Sequence, residues 1–128
     1  MAITLNHTIV SANDNEKWAR FFADMFGLKY EGSSGHFAPV RVNETLTLDF
    51  DTDSSFDSHH YAFHMSDDEC DAILQRVKKS EIPYGSDPWN LENRQLNSWN
   101  GGRGFYFRDP NGHLLEVLTR AESGSEAK

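Results

Sequence analysis

What limits this chain most is that one order of elements is written twice. Ile3 to Val10 is a β-branched, apolar run that reads as a strand and carries His7 near its middle. Asn13, with Glu16 three residues on, has capping-box spacing, and Trp18, Phe21, Phe22 and Met25 then recur at helical intervals up to Gly27, which supplies the stop. Short extended pieces follow at Leu28 to Glu31, His36 to Val42 and Thr45 to Asp51, separated by Gly32-Ser33-Ser34-Gly35 and by Asn43-Glu44. After a polar linker from Asp51 to Ser58 the order returns. A histidine-rich strand leads to a helix capped by Ser66 and Glu69, with Cys70, Ile73, Leu74 and Val77 as its buried stripe. A short strand around Ile82 to Gly85, a polar loop from Ser86 to Gly102, and strands Arg103 to Arg108 and His113 to Thr119 complete the second copy. Asp109-Pro110-Asn111-Gly112 joins the last two as a tight turn whose fourth position needs a positive φ. A β-α-β-β-β unit present twice, about residues 3–51 and 58–120, implies an α+β fold in which neither half offers enough sheet to stand alone, so residues 1–128 are expected to form a single domain.

Size and charge exclude several function classes. A chain of 128 residues is long enough to bury a core of its own, and 38% hydrophobic residues suit a folded protein. Twelve basic against 20 acidic residues leave a formal charge of −8, a field against which a nucleic-acid surface would have to be built, so nucleic acid is not an expected partner. Cys70 is the only cysteine and cannot form an internal disulfide, as suits a reducing compartment. No apolar run approaches the length of a membrane span and the first residues lack a signal-peptide pattern, so the expectation is a cytoplasmic protein without a membrane partner.

The strand His59-His60-Tyr61-Ala62-Phe63-His64 concentrates three imidazoles. Alternation puts His60, Ala62 and His64 on one face and His59, Tyr61 and Phe63 on the other. Tyr61 and Phe63 read as packing residues, and the small Ala62 leaves room beside His60 for a cavity.

His7 in Leu5-Asn6-His7, His60 in its strand, and the segment from Gly104 to Glu116 with its aromatic strand, Asp-Pro-Asn-Gly turn and terminal glutamate together resemble the vicinal oxygen chelate superfamily. That group holds glyoxalases, bleomycin-resistance proteins, fosfomycin-resistance thiol transferases and ring-cleaving dioxygenases. The resemblance runs from about Ile3 to Thr119. It implies paired modules forming curved mixed sheets around one divalent metal ion per site (iron, manganese, nickel or zinc), often in a homodimer whose cavities draw on both chains.

Carried over residue by residue, the resemblance implies that His7, His60 and Glu116 are the metal ligands. Two imidazoles and a carboxylate suit a divalent ion with open positions for substrate oxygens or water. No other general base is visible, so Glu116 is also the expected catalytic group. His64 lies about 13 Å along the strand from His60, too far to share one ion, and is expected to line the cavity. Tyr106 matches an aromatic that contacts substrate in the family, and Ile9 and Trp99 are further expected substrate contacts. His59 faces away, while His36 and His113 read as surface or turn residues.

Departures from the family's members narrow the activity. Thr47, with Asp49 two residues on, stands where glyoxalase I carries a ligand glutamate. Ile9 replaces a threonine of the fosfomycin enzymes, and Ser86 to Gly102 lacks their basic, serine-rich stretch. Two expectations remain. One is a metal-dependent enzyme of lyase, isomerase or oxygenase type acting on a small molecule through adjacent oxygens. The other is a binding protein of the bleomycin-resistance type, with Trp89 and Trp99 as aromatic contacts.

Overall fold

In the computed structural model, which describes residues 3–120, period-2 alternation and helical stripes build two units, Met1–Asp57 and Ser58–Lys128, divided within the polar linker. The first contains β1 (His7–Ala12), α1 (Asn15–Phe26), β2 (Phe37–Arg41) and β3 (Thr47–Thr52). Its sheet has the order β1-β3-β2, with β1 parallel and β2 antiparallel to β3. Val10, Ala38, Val40, Leu48 and Phe50 alternate onto a buried face, against which α1 packs through Ala19, Phe22, Ala23 and Met25. The Phe22 ring stacks on Phe26 at 4.2 Å and meets Phe50 at 5.9 Å. Alternation leaves His7, Ile9 and Asp49 on the open face.

The second unit contains β4 (His60–His64), α2 (Asp67–Lys79), β5 (Gly104–Arg108) and β6 (Leu114–Leu118), with the sheet order β4-β6-β5. Here too the first strand, β4, is parallel and the other edge strand, β5, antiparallel to the central β6. Phe105, Phe107, Leu115 and Val117 form the buried face. The α2 stripe is the expected one, Cys70, Ile73, Leu74 and Val77, and both halves of its capping box form: Glu69 N–H donates to Ser66 Oγ and Ser66 N–H to Glu69 Oε1. The Ser66 N–H and hydroxyl, both donating to Glu69 Oε1, hold that carboxyl below its ordinary range, and burial pushes the Cys70 thiol above its own.

Several local expectations need correction. The cap of α1 is Asp14, whose carboxylate accepts from Lys17 N–H, while Asn13 instead accepts from the Trp18 indole N–H. The α1 stripe is rotated accordingly, so that Trp18 and Phe21 are half-buried and meet edge to face at 6.0 Å. β1 begins at His7 and not at Ile3. Leu28–Glu31 and Ile82–Gly85 are not strands; each makes one isolated bridge, Tyr30 to Val40 and Gly85 to Tyr106. Both segments lie against an edge strand, β2 or β5, and follow it for a single bridge only. The 109–112 turn forms as expected, with Gly112 at φ 91° and its N–H donating to Asp109 O at 2.9 Å.

Candidate metal centre

The parallel pairing of β4 with β6 sets Ala62 opposite Glu116, and the antiparallel pairing of β5 with β6 sets Tyr106 on the other side of Glu116. Because β4 alternates, His60 lies two residues from Ala62 on that same face. Its Nε2 comes within 2.9 Å of Glu116 Oε1, although the two are 56 residues apart in sequence. The His60 side chain is 47% exposed and that of Glu116 13%, so the carboxylate sits at the floor and the imidazole at the lip. An imidazole nitrogen and a carboxylate oxygen converging on an open face are the donors a divalent ion takes.

The face is the wall of a cavity of about 640 Å³ lined by residues of the second unit, among them His60, His64, Trp99, Tyr106 and Glu116. The Tyr106 ring lies 5.7 Å from His60 and 5.9 Å from Trp99, which stands edge-on to it. His64 is among the lining residues, and its Nε2 lies 3.2 Å from the Thr119 carbonyl oxygen. Asn97, Asn100, Arg103 and Arg120 also line it and were not singled out from the sequence. Arg120 follows Glu116 and Leu118 at strand period, a signal that could have found it.

His113 is not a surface or turn residue: it is fully buried. Its Nδ1 accepts from the backbone N–H of His59 at 3.0 Å, and its own N–H donates to Asp109 Oδ1 at 2.8 Å. The ring also meets Tyr61 edge to face at 5.6 Å. His113 therefore ties the start of β4, next to His60, to the turn that launches β6. Burial raises the Asp109 carboxyl and the Tyr61 hydroxyl above their ordinary values. His36 is exposed as expected, beside Asp51 at 3.0 Å.

His7 lies in the first unit at the head of β1, exposed, with Nδ1 2.8 Å from Asn6 Oδ1. Ile9 is half-exposed. Among the described residues no group of three His, Cys, Asp or Glu side chains comes together that could hold a metal ion. The two sheets repeat one register: Ile9 pairs with Asp49 as Ala62 pairs with Glu116. Asp49, rather than Thr47, is thus the first unit's counterpart of Glu116.

Residues 4–117 match the sequence profile of the glyoxalase/bleomycin resistance protein/dioxygenase superfamily. The chain belongs to that superfamily. Among solved structures, the oxidase ChaP-H2 is 41% identical with a TM-score of 0.91, covering 96% of this chain and 98% of that one. The metallothiol transferase FosB of Lysinibacillus sphaericus (strain C3-41) is 28% identical over 122 residues, 91% of this chain and 82% of the relative. The glutathione transferase FosA of Serratia marcescens is 25% identical over 124 residues, 91% and 81% respectively. The relatives thus include a metallothiol transferase, a glutathione transferase and an oxidase. No helix among the described residues is long and apolar enough to cross a membrane.

Proposed function

We propose that this protein is a divalent-metal-dependent enzyme of oxidase or oxygenase type, acting on a small substrate that presents two adjacent oxygens. The observation that carries the reading is the His60–Glu116 pair, 2.9 Å apart at the wall of an aromatic-lined cavity. The 41% identity to an oxidase favours oxidative chemistry over lyase or isomerase chemistry. His7, His60 and Glu116 would hold the ion, which when bound supplies Lewis-acid binding of the two oxygens. Glu116 is the group positioned to take a substrate proton, and Tyr106, Trp99 and His64 form walls for a flat molecule. Ile9 flanks His7 as an apolar contact.

The proposed assembly is a cytoplasmic homodimer in which the two units of each chain work as one functional domain and a second copy completes the ligand set. Its support is that the described residues of one chain assemble no three-ligand group, while Ile9 beside His7 is 52% exposed. A binding protein without chemistry is the second reading, favoured by the Trp99–Tyr106 aromatic wall. The Fos relatives suggest thiol transfer, against which Ile9 and the 86–102 loop count.

Metal content separates these readings. By plasma emission, His7→Ala, His60→Ala and Glu116→Ala should each lose most bound ion, and His64→Ala should keep it. Equal content in all four would end the ligand assignment. Mixing His7→Ala with Glu116→Ala chains after unfolding and refolding should restore about one intact site per mixed dimer. Oxygen uptake by ferrous protein with ortho-dihydroxy aromatics supports the oxidase reading, whereas fosfomycin-dependent thiol consumption without oxygen uptake would replace it with transferase chemistry.

A further inference from the structure

The cavity beside His60 and Glu116 has a chemical direction. Parallel β4 and β6 run from the His60–Glu116 end toward Thr119, and three basic side chains gather at that far end. Thr119 ties them together. Its carbonyl accepts from His64 at 3.2 Å, its N–H donates to Arg103 O at 2.9 Å, and its hydroxyl accepts from Arg103 N–H at 2.9 Å. Arg120 is the next residue. All three side chains line the cavity, in a chain whose formal charge is −8.

The two arginines are not equivalent. The Arg103 guanidinium is committed to α2, with Nη1 2.6 Å from Asp71 and Nη2 3.3 Å from Asp67, which hold its pKa above the ordinary arginine value. Arg120 has no such carboxylate among the described residues. Its stem instead lies over Gly102, where a Cβ would fall 2.4 Å from Arg120 Cγ and 2.9 Å from Cβ. The missing side chain at 102 is the space that Arg120 occupies, so its direction along the cavity wall is set by packing.

We infer that Arg120 is a specificity-determining residue that recognises an anionic group, a carboxylate, on a flat aromatic substrate whose adjacent oxygens sit at the His60–Glu116 end. The pairing of β6 continues through Thr119, so four residues at strand rise put the Cα atoms of Glu116 and Arg120 about 13 Å apart. Allowing for the reach of both side chains, the two substrate groups are separated by more than one ring, as in a fused bicyclic acid. Tyr106, opposite Glu116, and Trp99, 5.9 Å from it, give the cavity an aromatic wall for such a molecule. The inference rests on the proposed metal-centre reading for the position of the adjacent oxygens.

The test compares 6,7-dihydroxy-2-naphthoate with 2,3-dihydroxynaphthalene, which share the diol and differ in the far carboxylate, by tryptophan fluorescence titration of metal-loaded protein. The naphthoate should bind about five- to tenfold more tightly, the gain of a partly desolvated guanidinium–carboxylate contact. Arg120→Gln should remove that preference and leave the diol's affinity unchanged, while Arg120→Lys should keep part of it. Equal binding of the two by the parent protein, with the diol still metal-dependent, overturns the inference and leaves the metal reading standing. A preference that survives Arg120→Gln overturns the assignment to Arg120. Binding of neither compound in a metal-dependent way overturns both.

Discussion

Replacing His113 by Phe keeps an aromatic ring in the buried site and removes both ring nitrogens, among them the Nδ1 that receives the His59 N–H at 3.0 Å. A donor left without a partner costs about 1–3 kcal/mol, and because this bond is only partly buried the lower half of that range applies, about 1–2 kcal/mol. His113→Asn is the complement. Its side-chain oxygen sits close to where Nδ1 was, so the bond survives while the packing on Tyr61 is lost, at a cost of about 1–2 kcal/mol for the vacated ring volume. His113→Ala suffers both losses, about 2–4 kcal/mol. For a chain of this length each kcal/mol lowers the melting temperature by about 3–5 °C, so thermal denaturation resolves the series. Amide hydrogen exchange adds a local readout: protection at His59 should fall in the Phe and Ala variants and persist in Asn. A Phe variant as stable as the parent, with His59 still protected, would refute the claim that this imidazole anchors β4.

Gly85→Ala should destabilise strongly, by about 2 kcal/mol or more, since its Cβ would fall 1.7 Å from the Asn90 carbonyl oxygen, a backbone atom that cannot step aside; urea midpoints report it. Ser66→Ala should cost about 1 kcal/mol by removing the α2 cap. The Glu69 carboxyl, held low by Ser66, contributes stability that is present above its unfolded pKa and lost as pH falls through its lower folded value. Urea midpoints should therefore drop between pH 5 and about pH 3 by less in Glu69→Gln than in the parent. Phe50→Ala, which empties a site behind Phe22, should cost about 3–5 kcal/mol by the same measurement. Gly102→Ala, by pushing on the Arg120 stem and the Thr119 hydroxyl, should lower the naphthoate preference without abolishing diol binding.

Short-range physics made part of this molecule legible in advance. Alternation along β4 sorts His60, Ala62 and His64 onto one face with no tertiary information, and the cavity is on that face. The Ser66–Glu69 box and the 109–112 turn are closed by bonds within four residues, so residue types suffice to place them. Asn13 and Asp14 are both good caps one residue apart, and only the backbone path into α1 selects Asp14, rotating the helix by one position. Tyr30 and Gly85 sit in strand-like runs that stop at single bridges, because strand length depends on a partner edge supplied by distant residues. The meeting of His60 with Glu116 follows from the register of β4 on β6, and in the sequence it was available only through resemblance to a family. His113 shows the limit most clearly. After Gly112 it reads as one more polar turn residue, and only the approach of β4, 54 residues earlier in the chain, closes over it and turns its Nδ1 into the acceptor for His59. Local pattern determines which side of an element a residue faces; what stands opposite it is decided by pairing across the chain, where sequence separation carries no periodic signal.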